Sequence, residues 1–88
     1  MKTNIQSIHF DASEQLQAFI EKKTAKLERF FDEIDTVEVT LKVVKPETAM
    51  NKQADVKVVV KNENLFASKI CDTFEESVDQ CVDALRIQ

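Results

Sequence analysis

Apolar and polar residues alternate along TVEVTLKVV (Thr36 to Val44), with Val37, Val39, Leu41 and Val43 on one side and Glu38, Thr40 and Lys42 on the other. This period of two predicts a strand with one buried face, because successive side chains point to opposite sides of a sheet. DVKVVVK (Asp55 to Lys61) repeats the pattern, with Val56, Val58 and Val60 set against Lys57, Val59 and Lys61. Lys2 to His9 reads as a first strand, which the chain leaves at Phe10 and Asp11, and LFASKI (Leu65 to Ile70) reads as a fourth. Between the first two strands the period changes. Leu16, Phe19, Ile20, Leu27, Phe30, Phe31 and Ile34 recur at the i, i+3, i+4, i+7 spacing of an amphipathic helix that starts near Ser13.

The connections carry their own signals. Pro46 has no N–H for a ladder and is expected to end the second strand, followed by the polar loop PETAMNKQ. KNEN (Lys61 to Asn64) reads as a hairpin turn, and in a chain without glycine its asparagines are the residues best able to hold a positive φ. After the fourth strand Asp72 or Thr73 can cap a helix, with Glu75 or Glu76 completing a capping box. Phe74, Val78, Cys81, Val82 and Leu85 form that helix's apolar face.

The order β-α-β-β-β-α predicts an α+β fold: a four-stranded mixed sheet, its first two strands parallel, with two helices packed on one face. Leu16, Ile20, Leu27, Phe31, Val39, Leu41, Val56, Val58, Phe74, Val78 and Leu85 are expected to be buried. The other sheet face, with Thr40, Lys42, Val44, Lys57, Val59 and Lys61, is expected to meet solvent.

A chain of 88 residues has room for one core, so residues 1–88 are read as a single domain. At 43% hydrophobic and 32% charged, the composition is that of a folded globular protein. MKTNIQSIHFDASEQ lacks the apolar stretch of a secretory signal and no apolar run approaches a membrane span, which points to a cytoplasmic protein without a membrane partner. Cys71 and Cys81 lie outside any CxxC pattern and read as reduced, apolar side chains.

His9 is the only histidine, which excludes histidine-dependent triads and multi-histidine metal sites, and the absence of glycine excludes a glycine-rich phosphate loop. Glu75 and Glu76 are adjacent on a helix and point apart. The sequence therefore predicts no catalytic residue, no metal, no cofactor and no small-molecule substrate, and so not an enzyme.

Charge changes the picture. The formal net charge is −4, yet the charges are sorted. At roughly 100° per residue from Leu16, Glu14, Glu21, Glu28 and Asp32 fall at roughly 120 to 160°, while Lys22, Lys26 and Arg29 fall at roughly 220 to 280° with Lys23 nearer the core edge. Residues 42–71 carry six lysines against three acids, and residues 72–88 carry five acids against Arg86. Local Glu–Lys pairing is one account of such charges. It leaves the sorting unexplained, whereas a basic surface on an acidic chain can engage an anionic partner locally.

KLERFFDEIDTVEVTLKV (26 to 43), DVKVVVKNENLFAS (55 to 68) and DTFEESVDQCVDAL (72 to 85) together resemble the ribosome hibernation promoting factor family, also called ribosome-associated translation inhibitor or protein Y, over nearly the whole chain. The resemblance implies a β-α-β-β-β-α domain similar to double-stranded RNA-binding domains. It would sit in the mRNA and tRNA channel of the small ribosomal subunit, against 16S rRNA and adjacent ribosomal proteins, and silence translation under stress. The family's basic positions on the first helix match Lys23, Lys26 and Arg29. With Lys22, Lys42, Lys57, Lys61 and Arg86 these are the expected rRNA-binding residues, acting on phosphates with salt-sensitive, sequence-independent affinity. Relatives commonly carry Lys or Arg where Ala84 and Ile87 stand, and continue past the position of Gln88 into a Lys-rich tail. Part of the family's basic site is therefore expected to be missing, through truncation or through weaker binding. The dimerisation domain of long-form relatives is expected to be missing as well, so this chain by itself is not expected to pair ribosomes by that route.

Two functions follow from different features. The basic face predicts a non-enzymatic, ribosome-binding translation inhibitor. The exposed sheet face or an open sheet edge predicts a protein-interaction module instead. Binding that falls steeply with salt belongs to the first, and binding indifferent to salt to the second.

Overall fold

The computed structural model describes residues 2–45, 49–61 and 63–87. Its elements are β1 (Lys2–Ile8), α1 (Glu14–Ala25), a 3-10 turn (Lys26–Arg29), β2 (Ile34–Val43), β3 (Lys52–Val60), β4 (Glu63–Cys71) and α2 (Phe74–Arg86). The sheet order is β1-β2-β3-β4, with β1 parallel to β2 and the other neighbours antiparallel.

Register explains which side chains are buried. Ile5, Val39, Val56 and Ala67 form one row across the four strands. This inward row and its neighbours Val37, Leu41, Ala54 and Val58 pack into one cluster with Leu16, Ile20 and Leu27 of the first helical segment and Phe74, Val78, Cys81, Val82 and Leu85 of α2. Both helices thus cover the same face, as the period-two strands require. Alternate residues form the outer rows, among them Asn4–Glu38–Lys57–Phe66 and Gln6–Thr40–Asp55–Ser68.

The helix starts follow capping chemistry. Ser13 Oγ accepts from the Leu16 N–H at 3.0 Å, and Thr73 Oγ1 accepts from the Glu76 N–H at 3.1 Å. Of the two capping candidates for α2, Thr73 does the work. Asp72 instead accepts from the Met50 N–H at 2.9 Å, tying the β2–β3 connection to the start of α2.

The first helix departs from expectation at its end. Its apolar spacing predicts a helix running through Ile34, but the α-helix ends at Ala25 and tightens into the 3-10 turn. Thr24 is buried one residue earlier and donates its hydroxyl to the Ile20 carbonyl at 2.9 Å, a back-bond that loosens helical geometry. Phe30 lies beyond the turn and is 47% exposed, and Phe31 is only half-buried, contrary to its expected place in the core.

Ile34 is not a helix residue at all. It opens β2, where an irregularity between Ile34 and Thr36 inserts Asp35 against β3. The extra residue shifts the alternation by one, so Ile34 is buried on the same side as Val37, Val39 and Leu41. β3 begins at Lys52 and β4 at Glu63, each earlier than its apolar pattern predicts.

Turns are made without glycine. His9, Glu33, Lys45 and Met50 hold φ of 66°, 56°, 49° and 52°, a conformation that costs non-glycine residues about 1–2 kcal/mol each. Of the expected turn asparagines, Asn64 lies within β4 and Asn62 lies outside the described residues, as does Pro46.

The two thiols are free and buried. Cys81 Sγ donates toward the Ala54 carbonyl at 3.3 Å, which joins α2 to β3. Burial pushes its pKa up to about 12, with the Asp55 charge acting in the same direction, so the thiol stays protonated and is a poor nucleophile. Ser77 makes a similar tie, donating to the Lys52 carbonyl at 2.6 Å.

Candidate functional site

Lys23, Lys26 and Arg29 are spaced by three. An α-helix turns 100° per residue, so such a spacing drifts around its surface, but a 3-10 helix brings i and i+3 into line. Because the helix tightens at Lys26, Lys26 and Arg29 project along one line that continues from Lys23 at the end of α1. Leu27, fully buried between them, anchors the turn to the core.

Across from this line runs α2. Asp79, Val82, Asp83 and Arg86 recur at helical spacing along one edge of its buried stripe. With Lys23, Lys26, Arg29 and Phe30 they line a groove between the two helical segments. The Arg86 guanidinium lies 5.6 Å from the centre of the Phe30 ring, a stacking that holds one cation at the end of the groove. Phe30 therefore serves the groove rather than the core.

The opposite end is held by an ion pair. Lys23 Nζ lies 3.1 Å from Asp79 Oδ1, and the Lys23 chain also passes the Phe19 ring at 5.5 Å. The hydrogen bond and charge of Asp79 raise the Lys23 pKa above the ordinary lysine value, with a smaller contribution from the Asp83 charge. The groove thus carries four cations and two carboxylates.

The eight basic residues expected from sequence divide into two groups. Lys23, Lys26, Arg29 and Arg86 come together in the groove. Lys22 is exposed on α1 and is not among the groove's lining residues. Lys42 stands on the outer sheet face beside Ile8 and Gln53. Lys57, also on that face, is opposite Glu38, with Nζ 3.9 Å from Oε2. Lys61 is exposed in the turn after β3.

The outer face itself is not a basic surface. A shallow depression there is lined by Asn4, Gln6, Glu38, Thr40, Asp55, Lys57 and Phe66. Asp55 accepts hydrogen bonds from Gln53 Nε2 at 2.9 Å and from the Ser68 hydroxyl. The net basic charge of residues 42–71 is therefore spread over both sheet faces and the turns.

Sequence reasoning missed Asp79, Asp83 and Phe30 as parts of the site. Asp79 and Asp83 counted only toward the acidity of the last segment, although their spacing of four from one another and of three from Val82 and Arg86 was there to read. Among the described residues, no group of three or more His, Cys, Asp or Glu side chains is placed to hold a metal ion, and no helix is long and apolar enough to cross a membrane. Exposed His9 sits at the positive-φ turn that ends β1.

Comparison with known proteins identifies relatives of the chain as a whole. The profile of the sigma 54 modulation protein / S30EA ribosomal protein family matches residues 3–88. The ribosome hibernation promoting factor of Escherichia coli (strain K12) is 32% identical over 88 residues, covering 100% of this chain and 88% of that protein. The protein of the same name from Shigella flexneri gives the same identity and coverage. Among solved structures, the Thermus thermophilus Protein Y N-terminal domain superposes with a TM-score of 0.85 at 20% identity, covering 100% of this chain and 94% of the other. A ribosomal subunit interface protein from Coxiella burnetii gives 0.84 at 24% identity, covering 100% and 92%. At those identities the structural likeness establishes the fold.

Proposed function

This chain belongs to the sigma 54 modulation protein / S30EA ribosomal protein family, and from that premise we infer that it binds the ribosome and inhibits translation as a hibernation factor. The two relatives above, matched over all of this chain and 88% of their own length, carry the name ribosome hibernation promoting factor. The observation in this chain that carries the reading is the groove in which Lys23, Lys26, Arg29 and Arg86 converge although the net charge is −4. Converging cations on a rigid helical frame are what phosphate backbones require.

The partner is the small subunit, with 16S rRNA phosphates at the groove cations and adjacent ribosomal proteins around them. Lys22, Lys42, Lys57 and Lys61 contribute at most peripheral contacts. Residues 1–88 act as one ribosome-binding domain, in the cytoplasm where ribosomes work. Inhibition needs no chemical step, because a body bound in the mRNA and tRNA channel excludes both by occupying their space.

Co-sedimentation with purified small subunits at two salt concentrations tests the reading. The parent chain is expected to pellet at low salt and be released as salt rises, with each phosphate contact adding about −0.7 to −0.9 to the logarithmic salt slope. Changing Lys23, Lys26 and Arg29 together to Glu should abolish pelleting with the thermal melt intact. A triple variant that binds as tightly as the parent at low salt sinks the RNA-face assignment.

A further inference from the structure

Two carboxylates in the groove are left unused by a reading based on phosphate contacts alone. Asp79 and Asp83 stand one helical turn apart on α2, and both line the groove. The Asp79 carboxylate occupies a hydrogen-bonding position on Lys23, 3.1 Å from its Nζ, where a phosphate oxygen would otherwise bind. The Asp79 side chain is 49% exposed, so this pair faces the water from which an anion arrives. Asp83 adds its own negative charge to the field at Lys23.

We propose that Asp79 and Asp83 compete with RNA phosphate for the groove's cations and so make the groove selective, a role that rests on the ribosome-binding reading above. A phosphate that approaches Lys23 must displace or share the carboxylate already there. At that end of the groove it also meets the Asp83 charge that acts at Lys23. A smooth RNA backbone, which offers phosphates indiscriminately, suffers this repulsion without compensation. A folded RNA site that sets its phosphates against Lys26, Arg29 and Arg86 and leaves the Asp79 end open suffers much less. Built-in repulsion of this kind is how a binder rejects abundant competitors without needing tighter contacts to its true partner. It also accounts for the acidic wall facing the basic line, which local charge neutralisation within α1 does not.

The test compares Asp79→Asn and Asp83→Asn, singly and together, with a Glu14→Gln/Glu75→Gln double variant. The control removes the same amount of charge from the exposed first turns of α1 and α2, among residues that do not line the groove. Affinity is measured for a mixed-sequence RNA duplex by fluorescence anisotropy and for purified small subunits by co-sedimentation, with thermal melts to check folding. For the paired Asn variant the duplex affinity should rise about tenfold and the salt slope steepen by about one phosphate equivalent. The Gln control should gain about twofold or less, and small-subunit affinity should rise by a smaller factor than duplex affinity. Should the paired variant melt without cooperativity, the single variants carry the same comparison. A duplex gain no larger than the control's overturns the proposal, and so does an equal gain for duplex and subunit. Failure of the parent to pellet with subunits, alongside a duplex gain, would reject the ribosome reading while upholding the competition between carboxylate and phosphate.

Discussion

Lys26 and Arg29 stand one 3-10 turn apart and face a common groove, whereas Lys42 and Lys57 stand on adjacent strands of the outer sheet face and share no space. The residue types are alike, so the difference lies in the geometry of the element that carries them. On the tightened helix, charges spaced by three add. On the sheet, each residue meets a cross-strand neighbour, and Lys57 stands opposite Glu38 with its Nζ 3.9 Å from the carboxylate. Core anchoring is common to both surfaces: Lys57 lies between fully buried Val56 and Val58, and the groove is tied to the core through Leu27.

Removing that anchor should have the largest effect. Leu27→Ala leaves a cavity under the 3-10 turn and should lower unfolding free energy by about 2–5 kcal/mol in chemical denaturation. Ribosome binding by the fraction still folded should fall as well, because Lys26 and Arg29 lose their common direction. Unchanged binding by the folded fraction would show that the alignment does not depend on the core.

Phe30→Ala sharpens the comparison at smaller scale. It removes the ring on which Arg86 rests and should weaken binding about two- to fivefold, the range expected for an exposed cation–π contact. Arg86→Ala in the same background should then cost less than it does alone, as expected of two groups acting as one.

The smallest effect is expected on the sheet. Lys42→Glu combined with Lys57→Glu should leave small-subunit affinity within about threefold of the parent at moderate salt, because charges on the far face lie beyond roughly one screening length, about 8–10 Å, from phosphates seated in the groove. A loss as deep as that of the Lys23, Lys26 and Arg29 triple variant would break the distinction between the two surfaces and make the outer face part of the RNA contact.

The strands and α2 were legible because their signals are local. Alternation from Val37 to Val43 and from Val56 to Val60 sets both the element and its buried side, and Thr73 caps α2 within three residues of itself. The end of α1 was not legible in the same way. Phe30, Phe31 and Ile34 continue the helical period, and what interrupts it is the local back-bond of Thr24 to Ile20 together with the insertion of Asp35 where β2 pairs with β3. In the site, the basic half could be read from charge and spacing along one segment. The acidic half could not, since Asp79 meets Lys23 across 56 positions of chain and nothing in either segment alone announces the pairing.

The sorted charges have a kinetic consequence. The molecule extends about 40 × 24 × 17 Å and bears a net charge of −4, so to a distant polyanion it is a repelling monopole, and to a near one it is a dipole with an attractive end. The Debye length decides which is felt, being about 30 Å in 0.01 M salt and about 10 Å in 0.1 M. In dilute buffer the whole-body repulsion reaches out farther than the molecule is wide and slows the encounter. Near physiological ionic strength it is screened to less than the width of the domain, and on the proposed binding mode the torque on the remaining dipole should turn the groove toward RNA phosphates over the last nanometre of approach. Association with small subunits is therefore expected to be fastest at intermediate salt, even though a phosphate-held complex, once formed, should be tightest where salt is lowest.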